Sequence, residues 1–169
     1  LTRHVARHAD RKLRFALVGC GRIAKNHFGA MKQHADRIEL VGVCDIVPSA
    51  LDSAVKETGA KGYSNLGAML AETNADIVVL TTPSGLHPEQ AIEIAETGRH
   101  VMTEKPMATR WHDGLRMVKA CDDANVRLFV VKQNRRNATL QLLKRAVEQG
   151  RFGKIYSVAI NVFWTRPQD

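Results

Sequence analysis

At 169 residues with 44% hydrophobic content, the chain is long enough to bury one full domain and a little more. No apolar run approaches the length of a membrane span, the start lacks the apolar centre of a signal peptide, and Cys20, Cys44 and Cys121 form no C-x-x-C pair. A membrane protein, a disulfide framework and a cysteine-based metal site are therefore set aside, and a cytoplasmic chain with reduced thiols is expected.

About half of the formal charge of +8 comes from the opening segment, where Arg3, Arg7, Arg11, Lys12 and Arg14 stand against Asp10. No aromatic residues interleave with these cations, so residues 1–12 read as a solvated basic tail in preference to a nucleic-acid arm, whose binding would be steeply salt-dependent. His4 and His8 lack a carboxylate or thiol neighbour to complete a metal site.

The run FALVGCGRIA over 15–24 opens the ordered sequence. Its apolar start predicts a parallel strand buried on both faces, and the glycines predict a tight turn into a helix over about 23–34. Gly19 permits the sharp exit, Gly21 leaves backbone room for a pyrophosphate, and Ala24 allows close packing of the helix; Arg22 and Ile23 complete the turn. The helix N-terminus then faces the phosphates with unpaired N–H groups. An ordinary strand-to-helix turn is the bland alternative.

A second strand ends at Asp45, at the interval where such folds place a carboxylate on the adenosine ribose. Ile46, Val47 and Pro48 offer no cation for a 2′-phosphate, which favours NAD over NADP; a capping role for Asp45 before Pro48 is compatible with this. A helix over 48–58 ends at Gly59, Tyr63 lies in a brief extended link, and Ser64 is expected to cap a helix over 65–73. The strand 76–80 runs into TTPSGLHP, with a helix from Pro88 to Gly98, then a strand 100–103 leading into Glu104-Lys105-Pro106. A helix over 111–124 follows, with Trp111, Leu115, Val118 and Cys121 on one face, and a strand over 126–131 completes the alternation.

This order predicts an α/β fold, a doubly wound parallel sheet over 13–136. Residues 137–169 read as a linking helix capped by Asn137 and an alternating strand of Tyr156, Val158, Ile160, Val162 and Trp164, the opening of a second domain whose remainder is absent. Such an unpaired apolar strand would promote self-association.

Ligands bind at the carboxyl ends of strands in such sheets. That edge gathers Thr81, Thr82, Pro83, Ser84 and His87 from one loop, Glu104 and Lys105 from the next, and Asn134, Arg135 and Arg136 after the last strand. Lys105 is the residue for chemistry: a partly desolvated lysine there can hydrogen-bond a hydroxyl or carbonyl at the reacting carbon, although a surface lysine paired with Glu104 would look the same. His87 either approaches the cofactor or caps the helix at Pro88, and the 134–136 run is either a ligand contact or a basic loop over the sheet.

Taken together, GCGRIA, TTPSGLHP, TEKP and VVKQNRRN, in this order and spacing, resemble the Gfo/Idh/MocA oxidoreductases from about Arg14 to the end. TEKPMATRW, VVKQNRRNATLQLLKRA and NVFWTRPQ are most similar to the branch that oxidises UDP-N-acetylglucosaminuronic acid at C3 in bacterial surface-polysaccharide (lipopolysaccharide) synthesis. The resemblance implies an NAD(P)-binding Rossmann domain followed by an α/β substrate domain. It also implies a catalytic Lys105 by the nicotinamide, often with a cis bond to Pro106, a sugar-nucleotide substrate and a homo-oligomer. Ser84 stands where many relatives have asparagine, which alters that contact. The family's acid-base histidine would lie beyond Asp169. A non-catalytic dinucleotide-binding module stays open as the rival, and a downstream histidine motif would decide against it.

Overall fold

The structure is a computed structural model, and it describes residues 11–163. Six strands form one parallel sheet in the order β3-β2-β1-β4-β5-β6: β1 Leu13–Val18, β2 Ile38–Cys44, β3 Gly62–Tyr63, β4 Ile77–Leu80, β5 His100–Thr103 and β6 Leu128–Val130. The helices are α1 Ala24–Gln33, α2 Pro48–Thr58, α3 Leu66–Glu72, α4 His87–Glu96, α5 Trp111–Asp123 and α6 Ala138–Glu148. The order reverses direction at β1, from which β2 and β3 lie to one side and β4 to β6 to the other. This is the doubly wound α/β arrangement expected from the sequence, with its switch point beside the glycine turn.

Two buried clusters explain why the central strands are apolar throughout. On one face of the sheet, Leu17, Val43 and Val79 pack with Phe28 and Met31 of α1; on the other, Ala16, Val78 and Val101 pack with Met69, Ile94 and Met117 of α3, α4 and α5. A strand covered on both faces has no polar side to show, so periodicity of two is lost.

Several expectations need correction. Asn65, not Ser64, caps α3, its side-chain oxygen accepting from the Ala68 amide at 2.8 Å. The buried stripe of α5 is Gly114, Met117 and Cys121, whereas Trp111 is 82% exposed and Leu115 and Val118 are also exposed. The reason lies in Gly114, where a Cβ would meet the Met107 side chain at 3.0 Å: the helix turns its smallest residue inward so that Met107 can lie over it. Residues 154–163 form no strand. Among the described residues none pairs with them, and alternation alone does not make a strand; Trp164 lies outside the described residues.

The chain divides into two compact units, the first ending at Val131 and the second beginning at Lys132. In the second, Asn137 caps α6 by accepting from the Thr139 and Leu140 amides at 3.0 and 3.3 Å, and Gly150 follows with φ +66°. Tyr156, Val158, Ile160, Val162 and Phe163 are all exposed. In light scattering at tens of micromolar, the chain should therefore associate, and a version ending at Gly150 should do so less; identical behaviour of the two would refute this.

The amino edge of the sheet is closed by Asp76. Arg11 donates to its two oxygens at 2.6 and 2.7 Å, and the Arg14 amide donates at 2.8 Å. Two cations of the basic opening are thus used inside the fold. The Arg11 guanidinium, helped by the Arg14 bonds, holds the Asp76 carboxyl well below the usual carboxylate range. Because the folded state prefers the ionised form, this contribution is complete above the unfolded value of about 4 and is lost as pH falls below it. Asp76→Asn should lower the urea midpoint at pH 7, and the gap from the parent should narrow below about pH 4.

Candidate active site

The sheet register aligns the ends of its strands. Cys44 pairs with Val18, Val18 with Leu80, Leu80 with Thr103 and Thr103 with Val130, each the last residue of its strand. The residues that follow therefore emerge along one edge: Asp45, Gly19, Thr81 and Glu104. At a strand spacing of about 4.8 Å, the row from Asp45 to Glu104 covers about 14 Å.

Gly19 adopts φ +93°, and a Cβ there would lie 2.7 Å from the Thr82 amide nitrogen and 2.8 Å from the Thr81 carbonyl carbon. Its neighbour strand comes this close because Thr81, itself buried, bonds back to the end of β1: its amide donates to the Val18 carbonyl at 2.9 Å, and its hydroxyl lies 2.6 Å from the Gly19 carbonyl oxygen. Gly21 is different. A Cβ there would meet no protein atom within 4 Å. Packing accounts for glycine at 19 and not at 21, where the free space lies outside the protein.

Beyond the turn, Ala24, the first residue of α1, is fully buried, and Arg22 and Ile23 are exposed. The cap of α1 makes no side-chain hydrogen bond and its first turn has no acidic residue. No carboxylate within the helix's own first turn therefore neutralises its positive end.

Asp45 is fixed by two backbone amides, Cys20 donating to Oδ2 at 2.6 Å and Val47 to Oδ1 at 2.8 Å. The bond to Val47 closes a local turn, and the cap position of α2 is Val47 itself. Each carboxylate oxygen retains acceptor capacity. Burial, with the Asp45 charge adding, pushes the Cys20 thiol up to about 12 and the Cys44 thiol up to about 11. Both thiols are therefore neutral and unreactive at neutral pH, and no thiolate opposes an anion at the turn.

In the second loop, the Thr82 hydroxyl donates to Gln90 Oε1 at 2.6 Å; Pro83 is exposed and Ser84 half-buried. His87 is 1% exposed, with Nε2 2.9 Å from the Thr82 carbonyl oxygen and Nδ1 3.0 Å from that of Pro106. It is the first residue of α4 and makes no side-chain cap bond. Glu104 is also buried; its Oε1 meets His27 Nε2 at 2.9 Å, and its Oε2 accepts from the Lys105 amide at 3.2 Å. Lys105 is exposed, and the bond to Pro106 is cis. It meets Glu104 through its main chain, and its ammonium has no ion pair among the described residues.

Asn134 lies in a 3-10 turn, Gln133–Arg136, within the second unit. His27 was not legible as a site residue in the sequence. Its position one turn beyond Ile23, on the face that α1 turns towards the sheet edge, is a signal only once Glu104 is known to lie there.

The arrangement can hold an elongated anionic ligand at the glycine turn, a diol at Asp45 and a hydroxyl or carbonyl at Lys105. Residues 13–132 match the GFO_IDH_MocA family, described as "Oxidoreductase family, NAD-binding Rossmann fold". Among solved structures, the chain is similar to the WlbA dehydrogenase of Chromobacterium violaceum in complex with NADH and UDP-GlcNAcA, at 72% identity and a TM-score of 0.92, covering 95% of this chain and 46% of that one. The WlbA dehydrogenase of Bordetella pertussis, in complex with the same two ligands, shares 71% identity with a TM-score of 0.91, covering 94% of this chain and 46% of that one. The inositol 2-dehydrogenase of Rhizobium meliloti is 29% identical over 148 residues, 88% of this chain and 44% of the relative. The chain thus spans less than half the length of the relatives it matches. With the family match covering the whole sheet and both edge loops, the chain belongs to the Gfo/Idh/MocA oxidoreductases and carries their NAD-binding Rossmann fold.

Proposed function

We propose that this chain is the NAD-binding half of a dehydrogenase that oxidises an anionic sugar nucleotide, UDP-N-acetylglucosaminuronic acid, at C3. The observation that carries this reading is the aligned edge, which brings the glycine turn, Asp45, the 81–84 loop and Lys105 into one row. Similarity above 70% to two dehydrogenases crystallised with NADH and UDP-GlcNAcA supports the choice of substrate.

The residues present fit a dinucleotide. The open side of Gly21, with the helix end at Arg22, Ile23 and Ala24, suits a pyrophosphate. Asp45 keeps acceptor capacity for ribose hydroxyls, and exposed Ile46 offers an apolar surface beside it for a base. Thr81, Thr82, Pro83 and Ser84, with Glu104, are assigned to the nicotinamide half, and His87 supports that loop from within. NAD, when bound, supplies the hydride acceptor. Lys105 would donate a hydrogen bond to the sugar oxygen and stabilise its developing alkoxide charge, while the hydroxyl proton passes to a base on the substrate domain. Production of an oxidised sugar nucleotide for surface-polysaccharide assembly in the cytoplasm accords with the branch resemblance.

Calorimetric titration of the chain with both cofactors tests this reading. A carboxylate facing a 2′-phosphate should favour NAD at least tenfold, or about 1.4 kcal/mol, and Asp45→Ala should narrow the gap. Equal or tighter binding of NADP would show that Asp45 does not face the ribose.

A further inference from the structure

Lys105 is mounted between two histidines that come from two different helices. On one side, His27 of α1 reaches Glu104 Oε1 at 2.9 Å, and the other oxygen of the same carboxylate accepts from the Lys105 amide. Glu104 therefore links α1 to the main chain of the lysine itself. On the other side, His87 of α4 lies between the Thr82 and Pro106 carbonyl oxygens, joining the 81–86 loop to the residue after the lysine. A neutral ring donates to one of these carbonyls and turns its other nitrogen's lone pair towards the second, whereas the doubly protonated ring donates to both.

The two helices begin at the two loops that flank the middle of the sheet edge, the glycine turn and the 81–86 loop. Both histidine side chains and Glu104 are largely withdrawn from water, with 14% exposure for the His27 side chain and 11% for that of Glu104. Polar groups withdrawn in this way are costly unless bonded, so the contacts resist being broken. The lysine side chain, in contrast, has no such restraint of its own. The backbone of 104–106 fixes the point and direction from which it leaves the chain, and a donor that stabilises a developing charge must be held to within about 0.5 Å.

We propose that His27 and His87 are positioning residues for Lys105, which tie its placement to the two segments that hold the cofactor. This rests on the reading that Lys105 faces the nicotinamide. Its consequence is that filling the cofactor site should steady the 104–106 backbone through the histidines.

Amide hydrogen exchange on the isotopically labelled chain, with and without NAD, tests the proposal. The Lys105 amide is the reporter, because it donates to Glu104. His27→Leu removes the donor to Glu104, and His27→Gln keeps one. In His27→Leu, the Lys105 amide should exchange at least tenfold faster than in the parent, while the amides of Val79 and Leu80 in the core of the sheet stay within threefold. NAD should slow exchange at Lys105 in the parent and in His27→Gln, but not in His27→Leu, with the NAD dissociation constant of all three within about threefold. His87→Leu should act in the same direction; if it fails to fold, the His27 pair, at a helix position of intermediate burial, carries the test.

Normal NAD binding with unchanged Lys105 exchange in His27→Leu would overturn the mount and leave the cofactor reading intact. Faster exchange throughout the sheet would show a merely structural role and would also overturn it. Absence of NAD binding by the parent chain would overturn the cofactor reading and the mount together.

Discussion

Gly21→Ala is expected to leave the chain as stable as the parent yet weaken NAD binding at least tenfold, whereas Gly19→Ala should lose a large part of the stability. The two glycines are separated by one residue and belong to one motif, but they meet different surroundings. An alanine at 19 would have to accept φ +93° and place its Cβ 2.7 Å from a main-chain nitrogen that cannot move without shifting β4. The backbone conformation costs about 1–2 kcal/mol and the overlap about 1–3 kcal/mol more. Against a total stability of about 5–15 kcal/mol, that is a large fraction. An alanine at 21 touches nothing, so its effect on unfolding should stay within about 0.5 kcal/mol. If the space beside it receives the pyrophosphate, the added methyl group excludes the ligand, and tenfold is about 1.4 kcal/mol of lost binding. Urea unfolding and calorimetric titration on the same samples measure both effects. Unchanged NAD affinity in a folded Gly21→Ala chain would remove the pyrophosphate from that position.

In a dehydrogenase that carries this chain together with a substrate domain, as the proposed function requires, Lys105→Ala should depress kcat by about 10²- to 10³-fold, the scale of losing one preorganised donor to a developing oxyanion. NAD binding should remain within a few-fold of normal, because the lysine lies at the far end of the edge row from Asp45 and the glycine turn. A fall in kcat matched by an equal fall in kcat/KM would identify an interaction made only in the transition state. Lys105→Arg should not restore the rate, since a planar guanidinium cannot place a single donor where the ammonium stood. A loss confined to KM would reassign Lys105 to substrate binding. Because the ammonium has no ion pair among the described residues, the substitution should leave the melting temperature nearly unchanged.

The alternation of strands and helices was legible because each element carried a local signal. Gly59 adopts φ +70° at the end of α2, Pro48 stands at its first turn, and the 76–80 run could be little other than a buried strand. The glycine turn and Asp45 were legible for the same reason, since their spacing is fixed by one strand-helix-strand unit. Elsewhere, local signals competed. Ser64 and Asn65 are both good caps, and only the path of the chain into α3 selects Asn65. The alternating 156–164 run has the pattern of a strand, but strands exist by pairing, and none among the described residues pairs with 154–163. In α5, an apolar residue on a helix need not be a buried one: the close approach of Met107 to Gly114 decides which stripe faces inward.

The sequence by itself determined the order of elements and the fold family, and placed the strand ends to within a residue or so, because these depend on neighbours within one supersecondary unit. Tertiary structure decided which of those residues act together. Asp45 and Glu104 are far apart in the chain and come onto one edge through the register of four strands. Glu104 lies 77 residues from His27 and Pro106 19 residues from His87, and no periodicity announces them. Hydrogen bonds of this kind form only after the sheet has set the distances, so their residues look like ordinary polar positions until the chain is folded.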